Sequence, residues 1–537
     1  MKHILSVVLV VVCCACAAQA EVTVSKMFGD HMVLQRDIDV PVWGWADPGE
    51  EVTVEFGGQK KMALADKASK WMVRLAAMDA SSKGRALTVT SSTGKKNLAF
   101  KDVLVGEVWL CSGQSNMSFG MDGCRGILKE AIDTANFPLI RHIAVAGHFS
   151  VKKAKDLPDG SSWQVCTPQT VGGFTAVGFF FGRKIYQETN IPVGLIHSSV
   201  GGTQIEPWTP VEGFALVPEL GALRKQAAGA EDKYRKQMGE AVVNVRKWTA
   251  DTEKALETGD ELYLPILPSH PLSKGSKPTM LFNPKINPLV PYAMRGVIWY
   301  QGEYNGDEGI SYLHKTRALV EGWRTVWGQK AAKKDGPGRD FPFYWVQLAN
   351  YQNPSDKPAG GDGWARIRMA QTKALKIKNT GMAVAIELAD EARPSDIHPK
   401  NKKDVGERLA LWALAKDYAK QVTFSGPLYK SMKIMGSEAI IRFDHLGKGL
   451  MVAEKTGIEP VKEVKNGALK RFAISGADGK WHWADAKIAG NTVVVSSKDV
   501  AKPVAVRYAY TMNPAGCNLY NKAGLPASPF TTDNHWK

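Results

Sequence analysis

Past its first twenty residues the chain has no apolar stretch long enough to span a bilayer, which excludes a later transmembrane helix. It has no HExxH run, and its cysteines lack the short paired spacings of a zinc site, so neither a structural nor a catalytic metal is expected. Cysteine itself is scarce. Three of the seven lie in the first twenty residues, leaving Cys111, Cys124, Cys166 and Cys517, which an oxidising compartment would permit to form two bridges of unreadable pairing. No fixed-period repeat is present, which sets solenoids aside. The formal net charge is +16, but the lysines are spread along the chain as at Lys152-Lys153, Lys333-Lys334 and Lys400 to Lys403. That spread reads as solvated faces, and without an interleaved aromatic and basic strip no nucleic-acid partner is expected, whereas an acidic sugar remains compatible.

What is present is a long, globular composition: 537 residues, 44% hydrophobic, 23% charged, with 16 Trp. That length suggests roughly two to four domains. The opening has Lys2 and His3, then an apolar run, then Ala18-Gln19-Ala20, the small-x-small pattern of signal-peptidase cleavage. Residues 1–20 are expected to be a signal peptide and Glu21 the mature start, which predicts a secreted or periplasmic protein.

From 21 to 102 short alternating runs such as Val52-Thr53-Val54-Glu55-Phe56, broken by Asp47-Pro48-Gly49 and Gly57-Gly58, predict an antiparallel β-sandwich-like region. Similar runs, Thr492 to Ser496 among them, make 421–537 a second β-rich region. Between these, from 103 to 420, strand-like runs such as Val103-Leu104-Val105 and Gly296 to Tyr300 alternate with helical stretches, predicting an α/β domain. A helical insertion is expected at about 222–258.

Chemistry concentrates where these apolar runs end. Ser112-Gly113-Gln114-Ser115-Asn116-Met117 follows the first strand of the middle region, and the carboxyl ends of strands in an open α/β sheet face the ligand crevice. Ser115 is thereby a candidate nucleophile. Met117 stands where an α/β-hydrolase elbow needs its second glycine, so that fold is not supported. A serine hydroxyl needs a base, and the best candidate is His398 in Asp396-Ile397-His398-Pro399. Asp396 is the first choice to orient it, with Asp390 and Glu387 as alternatives. Donors for a tetrahedral intermediate are offered by Gly201 and Gly202, and by the Gln301 side chain in Gln301-Gly302-Glu303-Tyr304-Asn305. Each segment taken alone is an ordinary turn or helix cap.

Taken together, Gly113-Gln114-Ser115-Asn116-Met117, Gly201-Gly202-Thr203-x-Ile205-Glu206-x-Trp208, Trp299-Tyr300-Gln301-Gly302-Glu303-x-Asn305 and Asp396-Ile397-His398-Pro399-x-Asn401-Lys402 resemble the sialate O-acetylesterases of the SGNH-hydrolase superfamily. The resemblance extends from Phe28 to Arg36 near one end to Asn518 to Phe530 near the other. It implies an SGNH-hydrolase-like three-layer α/β/α catalytic domain flanked by N-terminal and C-terminal β-sandwich-like regions. It further implies Ser115, His398 and Asp396 as the catalytic set, with an oxyanion hole from the N–H groups of Ser115 and Gly202, or Gly201, and the Gln301 amide. Glu303 is placed toward Asn116 or the sugar, and Trp208, Trp364, Arg368 and Gln371 on the substrate side. The family pattern has Ser where Tyr304 stands, Asn-Gly-Met near Asn283-Pro284-Lys285, and Asp-x-Gly-Asp where Glu387-Leu388-Ala389-Asp390 occurs.

The expectation is a serine esterase that removes O-acetyl groups from sialic acids through an acetyl-enzyme, without a cofactor. An esterase for another acetylated polysaccharide such as xylan is the first alternative. A carbohydrate-binding protein without activity is the second.

Overall fold

The computed structural model describes residues 21–93, 97–147, 149–259, 265–273, 277–329 and 340–537. The expected signal peptide, with Cys13, Cys14 and Cys16, lies outside them. The molecule is built on one strand, Asn97–Gly113. Its first residues alternate in exposure and pair antiparallel with Ser81–Ser91, whereas Val103 to Gly113 is buried throughout. A strand covered on both faces needs an unbroken apolar run, which Val103-Leu104-Val105 and Val108-Trp109-Leu110 provide. The boundary expected after residue 102 therefore falls inside a continuous strand.

The mixed α/β sheet runs in the order Trp163–Cys166, Phe137–Ala144, Val193–Ser199, Asn97–Gly113, Gly296–Tyr300, Phe343–Gln347, Thr380–Val384. Pairing is parallel except at the Trp163–Cys166 edge. Because side chains alternate between faces, Trp109 and Tyr344 share one face and Trp299 and Phe343 the other. Phe181, from the helix Ala176–Thr189, and Trp412, from the helix Lys402–Lys416, pack on the first face. Trp323, from the helix Ile310–Trp327, packs on the second. Helices thus cover both faces. Thr175 caps the first of these helices and Asn401 the second, each accepting a backbone N–H in the first turn.

Gly221–Thr258 is one 38-residue helix that buries only Ala230 and Ala241, as its Lys- and Glu-rich sequence requires. Before the α/β sheet, Thr23–Val24, Val40–Trp45 and Lys70–Leu75 form a three-stranded sheet, and Glu51–Phe56 joins the long strand through Ser81–Ser91. These residues share one continuous core with the α/β sheet, Tyr292 packing on Phe28 and Trp43. After residue 421 three small antiparallel sheets enclose a separate core around Phe472, Tyr508 and Phe530. Cys111, Cys124, Cys166 and Cys517 are all free thiols, so neither of the two permitted bridges is formed. Burial pushes the Cys166 thiol up to about 12, where it is inert.

Candidate active site

Three neighbouring strands end level with one another: Gly113 lies opposite Ser199 on one side and Tyr300 on the other. The chain enters the sheet at the central strand and then builds outward in both directions, so this is the topological switch point where a crevice opens. Gly113 makes the approach possible. Its φ is +138°, and a Cβ there would lie 2.1 Å from the Tyr300 carbonyl oxygen. Gln114 then donates its N–H to that oxygen at 2.9 Å, and Ser115 opens a single helical turn, Ser115–Ser118.

The loop after Ser199 bends back over this turn. Val200 donates its N–H to the Gly113 carbonyl, and a Cβ on Gly201 would sit 3.3 Å from the Ser115 Cβ. Gly202 is left-handed at φ +65°, a conformation that favours glycine. The N–H groups of Ser115, Gly201 and Gly202 have no acceptor among the described residues, so they are available to an oxyanion. A hydroxyl and imidazole chain locks the two loops together: Ser118 Oγ lies 2.6 Å from Ser199 Oγ, which lies 2.5 Å from His197 Nε2.

His398 reaches the site from the loop before the helix Lys402–Lys416. Its ring stacks on Phe119 with centroids 5.7 Å apart, and Asn116 donates to the carbonyl of Ile397 at 3.1 Å. Burial and the neighbouring Lys402 ammonium lower the affinity of His398 for a proton, and Asp396 partly opposes them. The ring is thus neutral near pH 7, the form a general base requires. Asp396 Oδ1 accepts the His398 backbone N–H at 3.0 Å and lies 3.6 Å from Nδ1, slightly beyond hydrogen-bond length. Glu387 is committed to Arg408 at 2.5 Å and Asp390 to Arg393 at 3.0 Å, so Asp396 is the carboxylate beside the ring.

Gln301 does not face the oxyanion position. Both hydrogens of its amide are spent, on the Thr203 carbonyl at 3.0 Å and Asn305 Oδ1 at 2.8 Å, and its side-chain oxygen accepts from Tyr312. It is a strut between two loops. Trp208 is fully buried, donates to Thr203 Oγ1 and packs on Trp299, so it props the glycine loop from below. Arg368 is also fully buried, its guanidinium held by the carbonyls of Leu348, Ala349, Thr511 and Met512. Trp364 stacks on Tyr351, and the Gln371 side chain bonds to the backbone at Val346 and Leu348. None of these four is presented to a substrate. Tyr304 is 59% exposed beside the site.

Glu303 is buried and accepts from Asn116 at 2.5 Å, while Lys402, wholly buried, donates to the oxygen of the same amide. Lys402 is not among the residues expected from the sequence to act at the site. A signal existed, since a cation at the first position of a helix opposes the helix dipole and asks for another reason to be there. Among the described residues no three His, Cys, Asp or Glu side chains converge as metal ligands.

A neutral imidazole on a loop bonded to the turn that carries a serine, with unsatisfied N–H groups at a strand-end crevice, is the arrangement of a hydrolase of the serine-esterase class. The family profile for carbohydrate esterases, sialic acid-specific acetylesterase, matches residues 105–248, which hold Ser115, Gly201 and Gly202. The sialate O-acetylesterase of Mus musculus is 31% identical over 93% of this chain and 92% of its own length. That of Homo sapiens is 29% identical over 94% and 91%. A carbohydrate acetylesterase from Xanthomonas citri, solved by crystallography, superposes with a TM-score of 0.74 at 34% identity, covering 96% of this chain and all of the other. The chain belongs to the sialate O-acetylesterase family and is an esterase.

Proposed function

We propose that this esterase removes O-acetyl groups from sialic acids on glycans, with Ser115 as nucleophile, His398 as base and Asp396 orienting the ring. The convergence of Ser115, the Gly201-Gly202 loop and the His398 loop carries this reading. Ser115 Oγ gives its proton to His398 Nε2 and attacks the acetyl carbonyl carbon. The oxyanion rests on the N–H groups of Ser115 and of Gly202 or Gly201. His398 then protonates the departing sugar oxygen, and the acetyl group stays on Ser115. Water, deprotonated by His398, attacks that ester, His398 returns the proton to Ser115 Oγ as the acyl bond breaks, and acetate leaves.

The catalytic α/β/α unit is read as SGNH-hydrolase-like, spanning about 103–420, between β-sandwich-like regions at 21–102 and 421–537. The leader at 1–20 supports export, secreted or periplasmic, where acetylated glycans are met. Likeness to an enzyme described only as a carbohydrate acetylesterase favours a second reading, in which the ester is carried by another polysaccharide such as xylan. Tyr304, where the family pattern has serine, bears on that choice by narrowing the mouth of the site.

Acetate release from O-acetylated sialic acids and from acetylated xylan, with wild type and Ser115→Ala, tests both readings. Release from the sialic acids, lowered at least about 10³-fold in Ser115→Ala, is the expected result. Release from xylan alone moves the substrate to the second reading. Release that does not depend on Ser115 overturns the nucleophile.

A further inference from the structure

Lys402 has no carboxylate within ion-pair distance among the described residues, although it is completely buried. Such a burial is costly unless the charge is compensated. Its ammonium lies 5.2 Å from the Phe119 ring centroid and 5.3 Å from that of Tyr300, and it donates to Asn116 Oδ1. The other end of Asn116 is fully used, one N–H going to Glu303 Oε1 and one to the Ile397 carbonyl. An amide gripped by a cation on its oxygen and by two acceptors on its nitrogen has a single orientation. Asn116 directly follows the nucleophile, and Ile397 directly precedes the base.

We propose that Lys402 is a positioning residue for the reaction: its buried ammonium fixes the Asn116 amide, which clamps the Ser115 turn to the His398 loop, and sets a cation against Phe119, the ring on which His398 also stacks. This rests on the assignment of Ser115 and His398 given above. The groups facing Lys402 are Glu303 and Tyr300 from the 300–303 turn, Phe119 and Cys124 from the segment after the nucleophile, and Asp396 and Lys400 from its own loop. Those facing His398 are Asp396, Lys400, Lys402 and Phe119. Burial brings Lys402 down to about 7 and raises Glu303, each toward its neutral form, and the attraction between the two across Asn116 partly opposes that.

The test compares pH profiles of acetate release for wild type, Lys402→Met, Lys402→Arg, Asn116→Ala and Ser115→Ala, after circular dichroism confirms that each is folded. Lys402→Met is expected to lower kcat at least about tenfold with KM changed by less than about threefold, the signature of lost transition-state positioning. Its acid limb of kcat/KM should rise by about one pH unit, because the cation that depresses His398 is gone. Lys402→Arg keeps the limb near its wild-type position. Asn116→Ala, which loses the clamp and keeps the cation, lowers kcat without raising the limb. A folded Lys402→Met enzyme with kcat within about twofold of wild type, or with an unmoved limb, overturns the proposal. Should that variant not fold, unchanged kcat in Asn116→Ala or a raised limb in Lys402→Arg overturns it instead. Activity retained by Ser115→Ala removes the site assignment itself, a failure distinct from that of Lys402.

Discussion

The reaction proposed at Ser115 turns on which of two neighbours, Asp396 or Lys402, controls the proton on His398. Asp396 is the one that favours protonation, through its charge and its 3.6 Å approach to Nδ1. Asp396→Asn should therefore move the acid limb of kcat/KM to lower pH while lowering kcat, since the ring loses its orienting partner. A pH-rate profile checks both; a limb that moves upward contradicts the assignment. His197 makes a separate prediction for stability. Burial and Lys285 bring it from 6.5 to about 3, so it is neutral in the folded protein. A depressed value means the stabilisation is complete above the unfolded value and is lost as pH falls from about 6.5 toward about 3. Thermal unfolding should show Tm falling across that window, and less steeply in a folded His197→Asn variant.

At the level of elements, the site is an alignment of three strand ends, and Gly113 sets its closest contact. Gly113→Ala places a methyl group 2.1 Å from the Tyr300 oxygen at a φ of +138°. Denaturant unfolding should show a loss of about 2 kcal/mol or more; a loss below about 0.5 kcal/mol would mean that the strand ends slide apart freely. The strands were legible because Val103 to Val105 and Gly296 to Tyr300 are buried on both faces and so read as unbroken apolar runs. The residues following them were legible as loops for the same reason. What each side chain does in those loops was not legible. Gln301 and Arg368 carry the donors expected of an oxyanion hole and of a substrate contact, yet neighbouring protein oxygens consume them, and spacing along the chain does not reveal the Thr203 carbonyl, 98 residues from Gln301, or the Thr511 carbonyl, 143 residues from Arg368.

Among the described residues the molecule has two large cores, one shared by the first β region and the α/β sheet, the other enclosed by the last three sheets. That sharing is why the expected boundary near 102 falls inside a strand: Tyr292 donates to the Val33 carbonyl and packs on Phe28, tying the regions through one interior. Arg368 joins the second core to the first, bonding Leu348 and Ala349 on one side and Thr511 and Met512 on the other. Arg368→Met leaves those carbonyls unpaired in the interior and should cost at least about 3 kcal/mol, read as a lower midpoint in urea unfolding. A variant as stable as wild type would show that this seam is held elsewhere.

The central claim is that Ser115 forms a covalent acyl intermediate, and active-site labelling tests it most directly. Wild-type protein treated with a fluorophosphonate should gain one adduct by intact mass, mapped by peptide sequencing to Ser115 and absent from Ser115→Ala. An adduct on another serine, or a folded and active enzyme that takes up no label, would contradict the account.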